Sequence, residues 1–285
     1  MAYERVCKSP WMTALFVLAA ACSDNGGSDG ALPADHRDAS TASGDDGSSG
    51  DAGTSGDPCP DGMLDGSYEI TTDEDAAAIA SCTAISGDLS VTGDALTELD
   101  LPKLKTIGGA LAIKNTEALA SFECSSLASV AKELAIDTNA VLTTFSLPVL
   151  ASAQTLLIMN NAELTEFDLG ALTKLDYLGV QGDDALTLLE IPKLESVSTF
   201  VVNLNAMLTT IRFGSLATIE GDGFILLQNP VLSTLDLPAL GTLVGDIIAN
   251  YNPMLPSCQL DALSTQIGMP IPIGATGNDD SATCP

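Results

Sequence analysis

The sequence predicts an all-β fold, a right-handed parallel β-helix of about eight coils with a short N-terminal capping helix. Three observations lead to this prediction. One leucine recurs every 22 to 24 residues, pairs of apolar residues two positions apart flank it, and no stretch inside a repeat is long enough for a regular helix. Strand side chains alternate between two faces, so these pairs would point inward and form a core. The recurring leucines are Leu96, Leu119, Leu142, Leu164, Leu186, Leu208, Leu232 and Leu255.

The first 21 residues predict an export signal. Arg5 and Lys8 precede the apolar run WMTALFVLAAA, and about eleven apolar positions fit a signal-peptide core but are roughly half of a membrane span. The run ends in LAAAC, which resembles the lipobox of bacterial lipoproteins and implies that Cys22 becomes the lipid-modified first residue. An ordinary signal peptide cleaved nearby is the alternative.

Residues 22–58 predict a disordered tether, because they are rich in Gly, Ser and Asp and hold almost no residue able to build a core. A lipid anchor followed by such a tether resembles surface or periplasmic lipoproteins of Gram-negative bacteria. In that family Ser23 after the cysteine implies the outer membrane. Residues 59–285 would form the β-helix.

The chain is strongly acidic, with 10 Lys and Arg against 38 Asp and Glu and a net charge of −28. Nucleic acid and anionic membrane surfaces would repel it, so a partner should be neutral or cationic. The apolar content of 46% is enough for a sizeable core.

A polar residue lies three positions before most of the recurring leucines. Asn side chains suit the corner of a coil, where they accept left-handed turn geometry and bond the backbone of the next coil. We predict that they form a structural ladder with no free valence for a ligand. The ladder residues are Asn139, Asn161, Asp183, Asn205, Asn229 and Asn252.

The two ends of the repeat region predict capping segments and disulfide bonds. Thr72 and Asp75 form a weak capping-box pattern at the start of residues 72–82, which predicts the N-terminal helix. Eight coils at about 4.8 Å would separate the two ends by nearly 40 Å, so the cysteines must pair within each end. The expected bonds are Cys59–Cys82 and Cys258–Cys284.

The order of these parts resembles the receptor L domain, the β-helical module of insulin- and growth-factor-receptor ectodomains that also occurs in bacterial lipoproteins. Two cysteines precede the first coil, which begins with ISGDLSV, and NPMLPSCQLDALSTQIG with a final cysteine closes the chain. The pattern overlaps leucine-rich repeats, but the second strand-like step favours the all-β version. The resemblance implies the fold, and function only by analogy.

The strand before each recurring leucine predicts a binding face. Its outward positions are polar or small in the first coils, at Ser90, Ala112 and Ala135, and then become apolar. An exposed apolar patch on a soluble module marks a partner surface, here for a protein or a glycan. A tail or loops that cover the patch are the alternative. The candidate partner-binding residues are Leu157, Met159, Val201, Ile225, Leu227 and Ile248.

The chemistry-bearing residues do not predict an enzyme. His36, the only histidine, lies in the tether, and Cys124 falls at a core position, so no nucleophile and base can be assigned. Asp168 and Glu190 would lie about 5 Å apart, the spacing of a retaining glycosidase, but no aromatic platform accompanies them. We expect no catalytic residue, no metal and no cofactor beyond the lipid on Cys22.

The sequence therefore predicts a lipid-anchored, non-enzymatic binding or adhesion module of the bacterial cell envelope. Two alternatives remain open. The first is a structural envelope lipoprotein without a discrete ligand, and the second is a polysaccharide-acting hydrolase.

Overall fold

The computed structural model describes residues 58–269 and 275–282. They form a parallel β-solenoid of about nine turns with little helix, which confirms the predicted fold class. Each turn has three sides, and each side stacks on the same side of the next turn through parallel strand pairs. The stack has one turn more than the eight predicted, because the segment interpreted as an N-terminal cap itself makes the first turn.

The first side of the solenoid consists of very short strands. They pair in chain order. Isolated parallel bridges from Ser129 to Ser152 and from Ser152 to Lys174 continue this pairing into the next two turns. The strands are β1 (Met63–Leu64), β3 (Ala84–Ile85), β6 (Thr106–Ile107) and β9 (Ser129–Val130).

The second side carries the longest sheet, called the long sheet below. Its strands pair in the order β2-β4-β7-β10-β12-β14-β16-β18. On the second side β21 continues this order from β18, whereas β20 pairs with the part of β18 that lies on the first side. Three strands, β14, β16 and β18, are long enough to run through the first and second sides together. The strands are β2 (Tyr68–Ile70), β4 (Leu89–Val91), β7 (Leu111–Lys114), β10 (Glu133–Asp137), β12 (Thr155–Met159), β14 (Lys174–Gln181), β16 (Ser196–Asn203), β18 (Thr218–Leu227), β20 (Thr242–Leu243) and β21 (Asp246–Asn250).

The third side is divided into two sheets. In the part of the chain that the structure describes, no strand pairing joins β13 to β15, although the turns before and after pair normally. The first sheet contains β5 (Glu98–Asp100), β8 (Ser121–Glu123), β11 (Thr144–Ser146) and β13 (Glu166–Asp168). The second contains β15 (Leu188–Glu190), β17 (Thr210–Arg212) and β19 (Thr234–Asp236).

A helix takes the place of the third-side strand in the first and the last turn. The helix α1 (Asp73–Ala78) begins with a capping box, in which the Thr72 side chain accepts from the Asp75 N–H at 3.2 Å and the Asp75 carboxylate accepts from the Thr72 N–H at 2.9 Å. The helix α2 (Ser257–Ile267) follows the coils.

The predicted capping role belongs to the C-terminal end. None of the six residues of α1 is buried, whereas α2 buries Leu260 and Leu263 against the core. The physical reason is the sequence DEDAAA of α1, which has no large apolar side chain to cover the end of a stack. An N-terminal capping helix was therefore wrong as the main cover, although the predicted capping box forms.

The core is one continuous column of inward side chains. All eight recurring leucines are buried, and Cys124 lies in the same column with 2% exposure. Phenylalanine rings stack from turn to turn, with centroids 5.0 Å apart between Phe122 and Phe145 and 4.9 Å apart between Phe200 and Phe224. Burying a Leu or Phe side chain stabilises a fold by about 1.5 to 3 kcal/mol, so this column is the main source of stability.

Candidate functional site

The corner between the second and third sides holds the predicted ladder residues. All six have 0% exposure, and hydrogen bonds link them from turn to turn. Asn139 Nδ2 donates to Asn161 Oδ1 at 2.9 Å, and Asn205 Nδ2 donates to Asn229 Oδ1 at 3.0 Å. Each Oδ1 also accepts the backbone N–H of the preceding ladder residue, for example from Asn139 to Asn161 at 3.2 Å.

The ladder extends beyond the residues that the repeat predicted. Thr116 donates its hydroxyl to Asn139 at 2.8 Å at one end, and Asn252 donates its backbone N–H to Asn278 Oδ1 at 3.2 Å at the other. Asn278 was missed because the leucine period ends before it. The described part of the C-terminal tail therefore stacks on the last turn and continues the corner.

Left-handed backbone geometry occurs one residue before each ladder position. The residues concerned have φ between 56° and 68°, the last at Gly182, whereas the ladder residues themselves do not have positive φ. The prediction that the ladder residues adopt this geometry was wrong, because the residue before them makes the turn and so directs the ladder side chain inward. The left-handed residues other than glycine are Asn115, Thr138, Asn160, Leu204, Gln228 and Tyr251.

Asp183 is the one member of the ladder without an amide nitrogen. Its Oδ1 accepts from the Asn161 N–H at 2.9 Å and from Asn161 Nδ2 at 3.0 Å, while its Oδ2 is buried and has no partner. Burial raises the pKa of the Asp183 carboxyl to about 7; the hydrogen bonds from Asn161 lower that pKa, and the charges of Asp184 and Asp137 raise it.

The cysteines are consistent with an oxidised protein. Cys59 and Cys82 are bonded, with Cα atoms 5.4 Å apart, which confirms that predicted pair. Cys258 is also disulfide-bonded, and its predicted partner Cys284 lies outside the described residues, as does the predicted lipidation site Cys22. Burial raises the pKa of the Cys124 thiol to about 12, so this free cysteine is unreactive in the folded protein.

The candidate partner-binding residues lie in two neighbouring rows on the outward face of the long sheet. In the first row, strand register aligns Ala112, Ala135, Leu157, Gly179, Val201, Ile225 and Ile248. In the second row it aligns Met159, Gln181, Asn203, Leu227 and Asn250. The structure thus brings all six residues together, and it adds four that sequence reasoning missed, Gly179, Gln181, Asn203 and Asn250.

This outward face is less open than an exposed apolar patch. Five of the six candidate residues are half-buried, and Val201 has only 7% exposure. Side chains in the same row lie about 4.8 Å apart on adjacent strands, so each one shields its neighbours from water. A buried outward row could not be predicted from alternation alone.

Tyr177 closes the gap that Gly179 leaves in the first row. A Cβ atom on Gly179 would lie 2.8 Å from Tyr177 Cε1 and 3.1 Å from Leu157 Cδ2, so both side chains lie directly over the glycine. Burial raises the pKa of the Tyr177 hydroxyl. The position of Tyr177 two residues before Gly179 on one strand was the signal that could have identified it.

Asn203 adds a polar group to the second row. Its side chain has 4% exposure, and its Oδ1 is buried without a hydrogen-bond partner. The combined face therefore has an apolar first row and a second row that mixes Met and Leu with amide residues, of which Asn203 has a buried oxygen without a partner within the described chain.

The two carboxylates that could suggest glycan hydrolysis lie on strands that do not pair with each other. Asp168 and Glu190 end β13 and β15, the two strands between which the third side is interrupted. Asp168 Oδ1 accepts from the Gly170 N–H at 2.8 Å. Arg212, in register with Glu190, forms a half-exposed ion pair with Asp236, Nε to Oδ2 3.4 Å. Such an exposed pair contributes at most about 1 kcal/mol.

The described residues show no arrangement for a metal or a membrane span. No group of three His, Cys, Asp or Glu side chains in residues 58–269 and 275–282 could hold a metal ion. Within the same ranges, no helix combines the length and apolar character that crossing a membrane requires.

Comparison with known proteins found no matching family model, no matching curated protein and no matching solved structure. The resemblances to the receptor L domain and to bacterial lipoproteins therefore stay predictions from the sequence.

Proposed function

We propose that this protein is a lipid-anchored, non-enzymatic binding module of the bacterial cell envelope, which presents the outward face of its long sheet to a protein partner. The observation that carries the proposal is the alignment of Leu157, Val201, Ile225 and Ile248 in one row, with Met159 and Leu227 in the next. Because this apolar row lies on the outside of the solenoid, it is not part of the solenoid's core.

The position of the apolar row along the stack supports this proposal. The outward residues Ser90, Ala112 and Ala135 in the second to fourth turns are small, and the large apolar residues begin with Leu157 in the fifth turn. Each turn adds about 4.8 Å. Since the described chain enters the solenoid at the first turn, Leu157 in the fifth turn lies about 20 Å along the stack from that entry and Ile248 in the ninth turn about 40 Å.

The chemistry of the face favours a protein over a glycan. Sugar-binding faces rely on aromatic side chains, and neither of the two rows contains one. A surface of Leu, Val, Ile and Met side chains suits an apolar surface on a protein partner. The net charge of −28 favours a neutral or cationic rim on the partner.

The anchor is tested by labelling cells that express the full chain with a palmitate analogue. The wild-type protein should take up label and fractionate with the outer membrane, and the Cys22→Ser variant should do neither. Equal labelling of both proteins would exclude Cys22 as the lipid site.

The binding face is tested with a photoreactive residue placed at position 225 in cells. We expect a protein adduct that disappears when Leu157→Asp is added. Thr210 and Thr144, outward residues on the third side, provide matched control positions that should give no adduct. Equal adducts at positions 225 and 210 would contradict a specific face.

One observation favours an alternative, a structural envelope lipoprotein without a discrete ligand. Val201 and Asn203, near the centre of the two rows, are almost fully buried. If no adduct forms at position 225 under any condition, the structural role is the better interpretation of the face.

A further inference from the structure

We propose that Asp183 is held as a neutral carboxylic acid in the folded protein and donates a hydrogen bond from Oδ2, so that the sixth turn of the solenoid is a pH-sensitive point that loosens when this acid ionises. The other five ladder positions predicted from the repeat carry Asn, whose amide donates at all pH values. Asp183 can donate only while it is protonated.

The hydrogen-bond pattern of the neighbouring turns shows what Oδ2 faces. Every ladder Asn donates Nδ2 to a backbone carbonyl of the long sheet, and these acceptors are equivalent in register: Asn161 donates to Ile136, Asn205 to Val180 and Asn229 to Val202, at 3.0 to 3.3 Å. Ile158 stands between Ile136 and Val180 in the strand pairing. The carbonyl that corresponds to Asp183 is therefore that of Ile158.

A second acceptor lies on the other side of Asp183. Asn161 Nδ2 donates to the Oδ1 of the next rung at 3.0 Å, and Asn229 Nδ2 does so at 3.2 Å. The next rung from Asp183 is Asn205, whose Oδ1 accepts the Asp183 N–H at 3.1 Å. Oδ2 thus takes the place of an amide nitrogen between two acceptor oxygens, which a carboxylate would repel and a protonated carboxyl would bond.

The charges around Asp183 oppose its ionisation. The charged groups that act on it are two further acids, Asp184 next in the chain and Asp137 on β10. Asp184 Oδ1 accepts from the Ala206 N–H at 3.3 Å, and Asp137 Oδ1 accepts from Asn160 Nδ2 at 3.3 Å. No basic side chain among the described residues contributes, so the raised pKa of about 7 has no cationic partner to lower it.

The interrupted third side makes this turn sensitive to the loss of one bond. Asp183 lies between β14 and β15, and β15 is the strand that is not paired with β13 in the described chain. On the third side the sixth turn is therefore bonded to the seventh turn, through β15 and β17, but not to the fifth. Between the fifth and sixth turns the corner supplements the bonds of the long sheet, and ionisation of Asp183 weakens that corner.

The sign of the pH dependence follows from linkage. The folded protein keeps the proton of Asp183 at pH values where the unfolded chain, with an Asp pKa of about 3.9, has lost it. The folded state binds more protons in this window, so rising pH favours unfolding. Between about pH 4 and the pKa of Asp183 in the folded protein, this group should raise the unfolding constant about tenfold per pH unit. Above that pKa its effect on the unfolding constant increases no further.

The test compares the full wild-type chain with Asp183→Asn in urea unfolding from pH 4.5 to 8.5, where Asn restores the missing donor. We expect the ratio of the two unfolding constants to rise by two orders of magnitude or more across about this range. Asn229→Asp, a matched change two rungs away, should create a second pH-dependent loss. The expectation is overturned if the wild type and Asp183→Asn keep parallel pH profiles.

A direct measurement keeps the proposal testable if a variant folds poorly. The side-chain carboxyl carbon of Asp183 in the wild-type protein should show by NMR the chemical shift of a protonated acid at pH 5.5. Amide exchange, corrected for intrinsic rates, should increase selectively in residues 182–190 when pH rises from 5.5 to 8.5. An ionised Asp183 at pH 5.5, or a uniform increase along the stack, would exclude the proposed role.

Discussion

Gln259 Oε1 accepts a hydrogen bond from the backbone N–H of Leu235 at 2.8 Å, and Gln259 Nε2 donates to the Ser233 carbonyl at 2.9 Å. A side-chain amide of α2 thus pairs with β19 as another strand would. Gln266 adds bonds from Nε2 to the Leu240 and Leu237 carbonyls at 2.7 and 3.0 Å. Open strand edges promote association between molecules, so α2 protects the last strand of the third side.

Replacing this amide should both destabilise the protein and expose the edge. We expect Gln259→Leu to lower the free energy of unfolding by about 1 to 3 kcal/mol, because a partly buried donor and a partly buried acceptor lose their partners. Light scattering should show increased self-association. Gln154→Leu, at an exposed position on another turn, is the control and should change both quantities little. A monomeric Gln259→Leu variant of unchanged stability would show that α2 does not protect the edge.

The ladder should carry far more stability than the exposed Asn residues beside it. Asn161 makes buried bonds to Asn139, Asp183 and Ile136, so Asn161→Ala should cost about 3 kcal/mol or more in urea unfolding. The adjacent Asn160 is exposed and left-handed with φ 56°, and Asn160→Gly keeps that geometry at little cost. Equal effects of the two changes would contradict the structural role of the ladder.

The first turn should depend on its disulfide. The Cys59–Cys82 bond spans 23 positions of the chain, and such a bond contributes about 3 kcal/mol. Changing both residues to Ser should lower the urea midpoint by a corresponding amount, and adding reductant should lower it further because it also opens the disulfide of Cys258. The Cys124→Ala variant should show the same decrease of the urea midpoint on reduction. In the wild-type protein Cys124, with 2% exposure, should react with a thiol reagent only after unfolding. Rapid labelling of the native protein would contradict the burial of Cys124.

The helix α1 should lose stability in acid, opposite in direction to the effect of Asp183. Hydrogen bonds from the Thr71 backbone and from the Thr71 and Thr72 side chains hold the pKa of Asp75 below its usual value. Its contribution is therefore present above about pH 4 and lost as pH falls through the lowered pKa. We expect Asp75→Ala to cost about 1 kcal/mol at pH 7 and almost nothing near pH 2. A constant difference between these pH values would exclude the charged capping bond.

Much of the scaffold could be predicted from the sequence. The period of the leucines, the inward pairs such as Phe224 and Leu226, and the Asn corner all repeat at one spacing, and the structure buries these residues. The capping box of Thr72 and Asp75 also forms, because it depends on residues only three apart. The bond between Cys59 and Cys82 followed from the distance between the ends of a stack.

Other features depended on neighbours that the period does not describe. Alternation indicated that Leu157 and Val201 point outward, but the degree of burial came from Tyr177 and from side chains on adjacent turns. The left-handed residue lay one position earlier than expected, since the turn needs the ladder side chain to point inward. The cover at the C-terminal end came from α2, whose Gln259 and Gln266 form no recognisable local pattern.

The sequence by itself determined that this chain stacks turns of about 23 residues around a column of leucines. One repeat cannot bury its apolar pairs alone, so these pairs are buried only when successive repeats stack on one another. Only the tertiary structure decided that β13 and β15 do not pair, and that the second oxygen of Asp183 has no partner. Both depend on how side chains from three successive turns, more than 20 residues apart along the chain, fit together in space.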